Sequence, residues 1–289
     1  GSDFLGVCKQ VKEKLGSKAV ALQLPIGEEE NFRGVVDLIN NRGIIWNETD
    51  KGMTFEEVPI PENMVEEAKE YREKLLESVA EFDETLLEKF FEDPSSISEK
   101  EILKALREAT ISMAIVPMVC GSSFKNKGVQ TMLDYVMELL PSPMDKDTIV
   151  GTNPDTNEEV PIKPDEKAPF VGLAFKIATD PFVGRLCFVR AYSGVLESGS
   201  YIYNTRSDQK ERISRVFQMH ANKQNQIERL SAGDIGAVVG FKDIKTGDTL
   251  CDEKHKVVLE SMVFPEPVIG YAIEPKKQVD VDKLGMAIA

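Results

Sequence analysis

Apolar positions recur along this chain at two different periods, with the change falling near residue 147. From Asp3 onward, Phe4, Val7, Cys8, Val11 and Leu15 have helical spacing, and Gly16 ends the pattern. Ala19 to Leu24 is an apolar run bounded by Pro25 and Gly27. Phe32–Ile39 then faces Ile44–Trp46 across Asn40-Asn41-Arg42-Gly43, which predicts a β-hairpin. A stripe at Ala68, Tyr71, Leu75, Val79 and Phe82 predicts an amphipathic helix. Asp83 caps a second helix with Leu86, Leu87 and Phe90, and Ser98 with Glu101 has capping-box spacing before a third that carries Ile102, Leu103 and Leu106. Val116, Met118 and Val119 predict a strand, and Gly121-Ser122-Ser123 a loop. A helix follows with Val129, Met132, Leu133, Val136, Met137 and Leu140, stopped by Pro141 and Pro143. Strand, small-residue loop and amphipathic helix form a unit of an open α/β sheet, where ligands sit beyond the carboxyl ends of strands.

Beyond residue 147 the long helices give way to short strands. Phe170–Ala178, Arg185–Tyr192, Tyr201–Tyr203, Arg212–Met219, Ile235–Gly240 and Thr249–Leu250 are separated by turn signals such as Ser193-Gly194 and Ser198-Gly199. Regular short strands of this kind predict a closed β-barrel over residues 147–262. From Phe264 the sequence reads as one strand and the beginning of a helix, with Asp280 or Asp282 near its N-terminus. That is too little to bury a core of its own.

Composition adds a globular character: 289 residues, 42% hydrophobic and 29% charged, enough for about two domains. No stretch has the length and apolarity of a membrane span, and the N-terminus lacks the basic start and apolar core of a secretory signal, so a cytoplasmic location is expected. Cys8, Cys120, Cys187 and Cys251 are too widely separated for a zinc or redox motif and read as reduced, mostly buried thiols.

The net charge of -14 is unevenly spread. Residues 17–110 hold 23 acidic and 11 basic side chains, a balance of -12, whereas residues 147–262 hold 17 and 15, a balance of -2. The acidity concentrates on the helical segment that carries Glu66, Glu67, Glu70 and Glu73, which is either a solvated face or a docking surface. Within the second region Arg206, Lys210, Arg212, Arg215 and Lys223 stand against only Asp208 and Glu211, a local +3 suited to phosphate.

The run CGSSFKNKGVQTMLDYVMELLPSP (Cys120 to Pro143) resembles the bacterial elongation factor G family of translational GTPases. So, in the same order, do QLPIG (Gln23–Gly27), DPFVGRL (Asp180–Leu186), YSGVLESGSYIYN (Tyr192–Asn204), FQMHAN (Phe217–Asn222), FPEPVI (Phe264–Ile269) and IEPK (Ile273–Lys276). The resemblance implies a multidomain α/β plus β chain. Residues 1–16 and 111–146 would be the C-terminal part of a P-loop GTPase domain, interrupted by an acidic α+β insert at 17–110. A translation-factor β-barrel, domain II, would follow at 147–262, and the start of a ferredoxin-like domain III at 263–289. Gly121, Ser122 and Ser123 match the guanine-side loop, whose backbone N–H groups face the guanine carbonyl; Ser123 stands where the family usually has alanine.

The same resemblance implies GTP or GDP and Mg2+ in an intact parent that couples GTP hydrolysis to ribosomal translocation of tRNA and mRNA. The phosphate loop G-x-x-x-x-G-K-[ST] has no match in this sequence, and D-x-x-G at Asp3–Gly6 and Asp282–Gly285 lacks the context of a γ-phosphate switch. The chain is therefore expected to be a fragment with no catalytic residue and no metal ligand, inactive alone and binding no nucleotide; neither His220 nor His255 is assigned as a base. The expected partner is the ribosome. Small-subunit rRNA would meet the barrel through Arg206, Lys210, Arg212, Arg215 and Lys223, and the large-subunit stalk protein would meet the insert through Glu66, Glu67, Glu70 and Glu73. No membrane is expected to be involved, and the chain is expected to be a monomer. Two alternatives stay open: a fragment of a ribosome-protection resistance GTPase, or a non-enzymatic ribosome- or protein-binding module.

Overall fold

The computed structural model of the protein describes all residues except 147, 181–183, 222, 260–265, 267 and 289, and it divides the chain into two compact units, Gly1–Lys146 and Asp147–Ala289. Pro181, Phe182, Val183, Asn222, Phe264, Pro265 and Pro267 of the motifs above therefore lie outside the described residues.

In the first unit, helix α1 (Phe4–Leu15) starts at Asp3, whose carboxylate accepts from the Gly6 N–H at 2.8 Å, and ends at Gly16. The apolar run that follows divides into two strands in different sheets, β1 (Ala19–Ala21) and β2 (Gln23–Ile26). Leu22 is the switch: its N–H donates to the Met118 carbonyl and its carbonyl accepts from the Leu38 N–H. β2, β3 (Gly34–Asp37), β4 (Arg42–Trp46) and β5 (Phe55–Val58) form an antiparallel meander. Helices α2 (Val65–Ala80), α3 (Glu84–Glu92) and α4 (Glu99–Ile111) pack against this sheet through Leu24, Leu38, Leu75, Leu76, Ile102 and Leu106, all buried. Ser98 and Glu101 make the predicted capping box at the start of α4. Lys89 joins it at 2.5 Å and, with Ser98, holds the Glu101 carboxyl down to about 2. β6 (Val116–Met118) then pairs parallel with β1, and α5 (Val129–Leu139) completes the unit.

The second unit opens with the hairpin β7 (Ile149–Thr152) and β8 (Glu159–Ile162). There follow β9 (Val171–Asp180), β10 (Gly184–Ser193), β11 (Val195–Glu197), β12 (Tyr201–Asn204), β13 (Gln209–Arg212), β14 (Arg215–His220), β15 (Lys223–Ile227), β16 (Arg229–Ser231), β17 (Ile235–Val239) and β18 (Thr249–Cys251). Eight of these form one antiparallel sheet in the order β13-β12-β18-β9-β10-β17-β14-β15. The single strand predicted over Arg212–Met219 is really two, bent at Ile213-Ser214, and this bend closes the sheet. The Ile213 N–H donates to Ser200 beside β12 at 2.9 Å, while the Ser214 N–H donates to Val239 on β17 at 2.8 Å, so one chain segment links the β12–β13 pair at one end of the strand order to the β17–β14 pair near the other. Ala174, Cys187, Val189, Val216, Val238 and Leu250 fill the interior.

The strand expected from Phe264 is not found among the described residues up to Lys277, where Val268 is 95% exposed. A lone segment has no partner strand to take up its ladder hydrogen bonds. The helix expected after it is α6 (Val281–Ile288), with Asp282 in its first turn. Among the described residues no helix is long and apolar enough to cross a membrane.

Candidate functional site

The loop between β6 and α5 is built on a crossing of two glycines. Ser122 and Lys127 exchange backbone hydrogen bonds at 2.8 and 2.9 Å, which draws Gly121 against Gly128. Gly128 has φ of +84°, and a Cβ there would stand 2.9 Å from the Cys120 carbonyl oxygen; a Cβ on Gly121 would stand 2.7 Å from the Lys127 carbonyl oxygen. Both positions therefore demand glycine, on steric grounds that a Gly-Ser-Ser pattern alone does not express. The ladder also spends the Ser122 N–H inside the loop. Among the described residues the N–H groups of Gly121 and Ser123 have no intramolecular partner, so two of the three predicted donors remain for a carbonyl.

Gly121 and Ser122 line an open concavity of about 870 Å³, together with the start of α1; Ser123 does not line it. Glu28, Glu29 and Glu67 stand on its wall. Carboxylates repel phosphate, so this wall disfavours a phosphate group. Gln23 supports the loop by accepting from the Cys120 N–H at 3.3 Å. Burial pushes the Cys120 thiol up to about 12, which leaves it a packing group rather than a nucleophile.

Glu66, Glu67, Glu70 and Glu73 are all exposed on α2, whose opposite side buries Ala68, Leu75, Leu76 and Val79. Glu66, Glu70 and Glu73 recur at helical spacing along one stripe, whereas Glu67 turns toward the concavity. Among the described residues only Glu70 of the four has a basic partner, Lys74 one turn on at 2.5 Å.

On the barrel the structure separates the five cations that the sequence groups. Arg206 donates to Asp248 at 2.7 Å and pairs with Asp243 at 3.1 Å, while Lys210 pairs with Glu253 at 2.6 Å. Arg212, Arg215 and Lys223 are exposed without an ion pair among the described residues. Strand alternation then splits these three. Arg215 shares the face of β14 turned away from the barrel interior with Met219 and with Phe217, which is itself buried in a second apolar cluster, whereas Lys223 lies opposite His220, on the alternate positions of β14. The outward face holds cations that linear reading missed: Lys176 sits 5.5 Å over Phe188, Arg190 5.9 Å over Tyr192, and Arg215 5.4 Å over Phe217. A period-two reading of β10 carries the missing signal, with Leu186, Phe188, Arg190 and Tyr192 alternating against inward Cys187, Val189 and Ala191.

Residues 184–251 match the family described as elongation factor Tu domain 2, and the second unit is a translation-factor β-barrel. Over all 289 residues the chain is 79% identical to elongation factor G of Cytophaga hutchinsonii, 62% to that of Amoebophilus asiaticus and 53% to that of Karelsulcia muelleri. These matches cover the whole of this chain and 41%, 41% and 42% of the respective relatives. A crystal structure from Thermus thermophilus shares the fold with a TM-score of 0.77 at 23% identity, covering 100% of this chain and 40% of that one. The chain is thus similar over its whole length to elongation factor G, and it spans about two fifths of the length of the relatives it matches.

Proposed function

We propose that this chain supplies the guanine-side wall of a GTPase domain, its acidic insert and the adjoining barrel of a protein that couples GTP hydrolysis to ribosomal translocation of tRNA and mRNA. The observation that carries this reading is the 79% identity to elongation factor G over all 289 residues, a span that includes the loop, the acidic segment and the barrel. On this reading residues 1–16 and 111–146 belong to the GTPase domain, 17–110 to the insert, 147–262 to domain II and 263–289 to the start of domain III. The parent works in the cytoplasm as a monomer.

GTP and Mg2+ supply phosphoryl transfer when bound in the parent. This chain's own part is recognition: the Gly121 and Ser123 N–H groups meet the guanine carbonyl, and the glycine crossing holds them in place. Two backbone hydrogen bonds contribute about 0.5–1.5 kcal/mol each. Even millimolar affinity requires about 4 kcal/mol, so the chain alone falls short of measurable binding. Titration calorimetry with GDP should therefore be flat for this chain and show micromolar binding for the full-length parent, whose GTP hydrolysis should rise on adding ribosomes. A parent that ribosomes do not stimulate would favour a non-enzymatic binding module.

The acidic stripe on α2 is the proposed docking face for the basic surface of the large-subunit stalk protein. Charge complementarity accelerates encounter more than it deepens affinity. Reversal of Glu66, Glu67, Glu70 and Glu73 to lysine should slow stalk-dependent GTP turnover of the parent about tenfold at low salt and less at high salt. A rate unchanged at every salt concentration would make the stripe a solvated face only.

A further inference from the structure

The turn between β4 and β5 lies in the acidic insert, yet it grips the loop between β6 and α5. Lys127, immediately before Gly128, has a side chain only 2% exposed, and its ammonium donates to the Phe32 carbonyl at 2.8 Å and to the Glu48 carboxylate at 2.6 Å. Glu48 is 71% exposed, and the Lys127 ammonium draws its carboxyl below the usual range. The pair is thus a buried cation whose counterion reaches in from the surface. A buried ammonium stripped of its anion is strongly unfavourable, while an exposed carboxylate loses little on separation. The cost of separating the pair therefore falls mainly on the loop, at Lys127.

Two further contacts reinforce the grip. Asn126, one residue earlier, donates from Nδ2 to the carbonyls of Lys51 and Gly52, each at 3.3 Å. Gly52 has φ of +74°, and a Cβ there would stand 2.5 Å from the Asn126 carbonyl oxygen, so turn and loop approach this closely only with glycine. Gln130, in the first turn of α5, donates to the Gly52 carbonyl at 2.9 Å and accepts from the Trp46 indole N–H at 3.0 Å.

Closing the loop does not require any of this, because the Ser122–Lys127 ladder already does so. What the grip adds is a fixed position of the loop against the insert. We propose that Lys127 is a positioning residue through which the Asn47–Thr54 turn sets the place of the Gly121 and Ser123 N–H groups, so that displacing the turn lowers guanine nucleotide affinity. The inference rests on the nucleotide reading above. It is reciprocal by thermodynamic necessity: bound nucleotide favours the seated turn, and a partner that draws the turn away releases the nucleotide.

The test uses the full-length parent with Glu48→Gln, which keeps shape and removes the charge, Gly52→Ala, which pushes turn and loop apart, and Glu48→Asp as the conservative control. Dissociation of a fluorescent GDP should accelerate about tenfold in the first two, the fold-change set by losing roughly one charge-assisted hydrogen bond. The ratio of GDP to ADP affinity should fall with it, and Glu48→Asp should restore most of both. Amide exchange at Ser122 and Lys127, read in this chain without nucleotide, should accelerate in Glu48→Gln while the melting temperature moves by no more than about 2 °C. Unchanged GDP dissociation together with unchanged amide exchange in both variants would overturn the proposal. So would faster dissociation with no change in exchange at the loop. If the wild-type parent itself does not prefer GDP to ADP, the nucleotide reading fails instead, and that outcome is recognised before any variant is compared.

Discussion

Asp248→Ala should lower the stability of the barrel by about 3 kcal/mol, at the lower end of the range for breaking a buried ion pair. Asp248 is 3% exposed and accepts from Arg206 Nε at 2.7 Å, from Asn204 Nδ2 at 2.9 Å and from the Lys245 N–H at 2.9 Å. Removal takes one of the two acceptors from the buried Asn204 amide and the closer, buried anion from Arg206, leaving both with Asp243. The Arg206 side chain is 37% exposed, so water recovers part of its loss, which is why the expected cost sits at the lower bound. Lys210→Ala is the control: its pair with Glu253 is half in solvent and should be worth less than about 1 kcal/mol. The sequence holds a single tryptophan, Trp46, which is buried in the first unit. Its fluorescence during denaturant unfolding therefore reports on that unit, while far-UV circular dichroism reports on both. Asp248→Ala should shift the dichroism transition and leave the Trp46 transition where it was. A dichroism midpoint within error of wild type would show the network to be worth little, and an equal shift in both signals would mean that the units unfold together.

The parts of this fold that the sequence revealed are those fixed by neighbours along the chain. The Asp83 cap and the Ser98–Glu101 box are settled within four residues, and both form as read. What escaped was decided by distant partners. The run Ala19–Leu24 carries no mark of its division, because Leu22 changes sheet through bonds to Met118 and Leu38. Likewise β5, β13 and β15 are too polar to show as strands, and they exist because a neighbouring strand offers a ladder. The candidate site behaved in the same way. The Gly121–Ser123 loop was legible as a motif, but the loss of the Ser122 N–H to Lys127 follows from how the loop folds back on itself, and the grip of Glu48 on that lysine joins residues far apart in sequence.

The grouping of five cations between Arg206 and Lys223 shows the same limit most sharply, and it yields the second large effect. Proximity in sequence placed them together, yet Arg206 and Lys210 carry their own carboxylates, and Lys223 lies off the face that holds Arg215. The outward set of Lys176, Arg190 and Arg215 differs: each cation lies over an aromatic ring and none has an ion pair among the described residues. Cations without a carboxylate partner are free to meet a phosphate backbone. If this face is where the parent's barrel meets rRNA, each cation that neutralises a phosphate releases a counterion, and each contributes roughly 0.7–0.9 to the slope of log affinity against log salt. Replacing all three by alanine in the parent should therefore reduce that slope by about 2–3 and weaken ribosome binding at low salt by roughly a hundredfold. Arg206→Ala and Lys210→Ala should leave the slope in place, since those charges are already neutralised. A slope that responds to Arg212 and Lys223 but not to the ring-capping set would return the interface to the linear stretch, and a slope indifferent to all of them would remove the barrel face from rRNA contact.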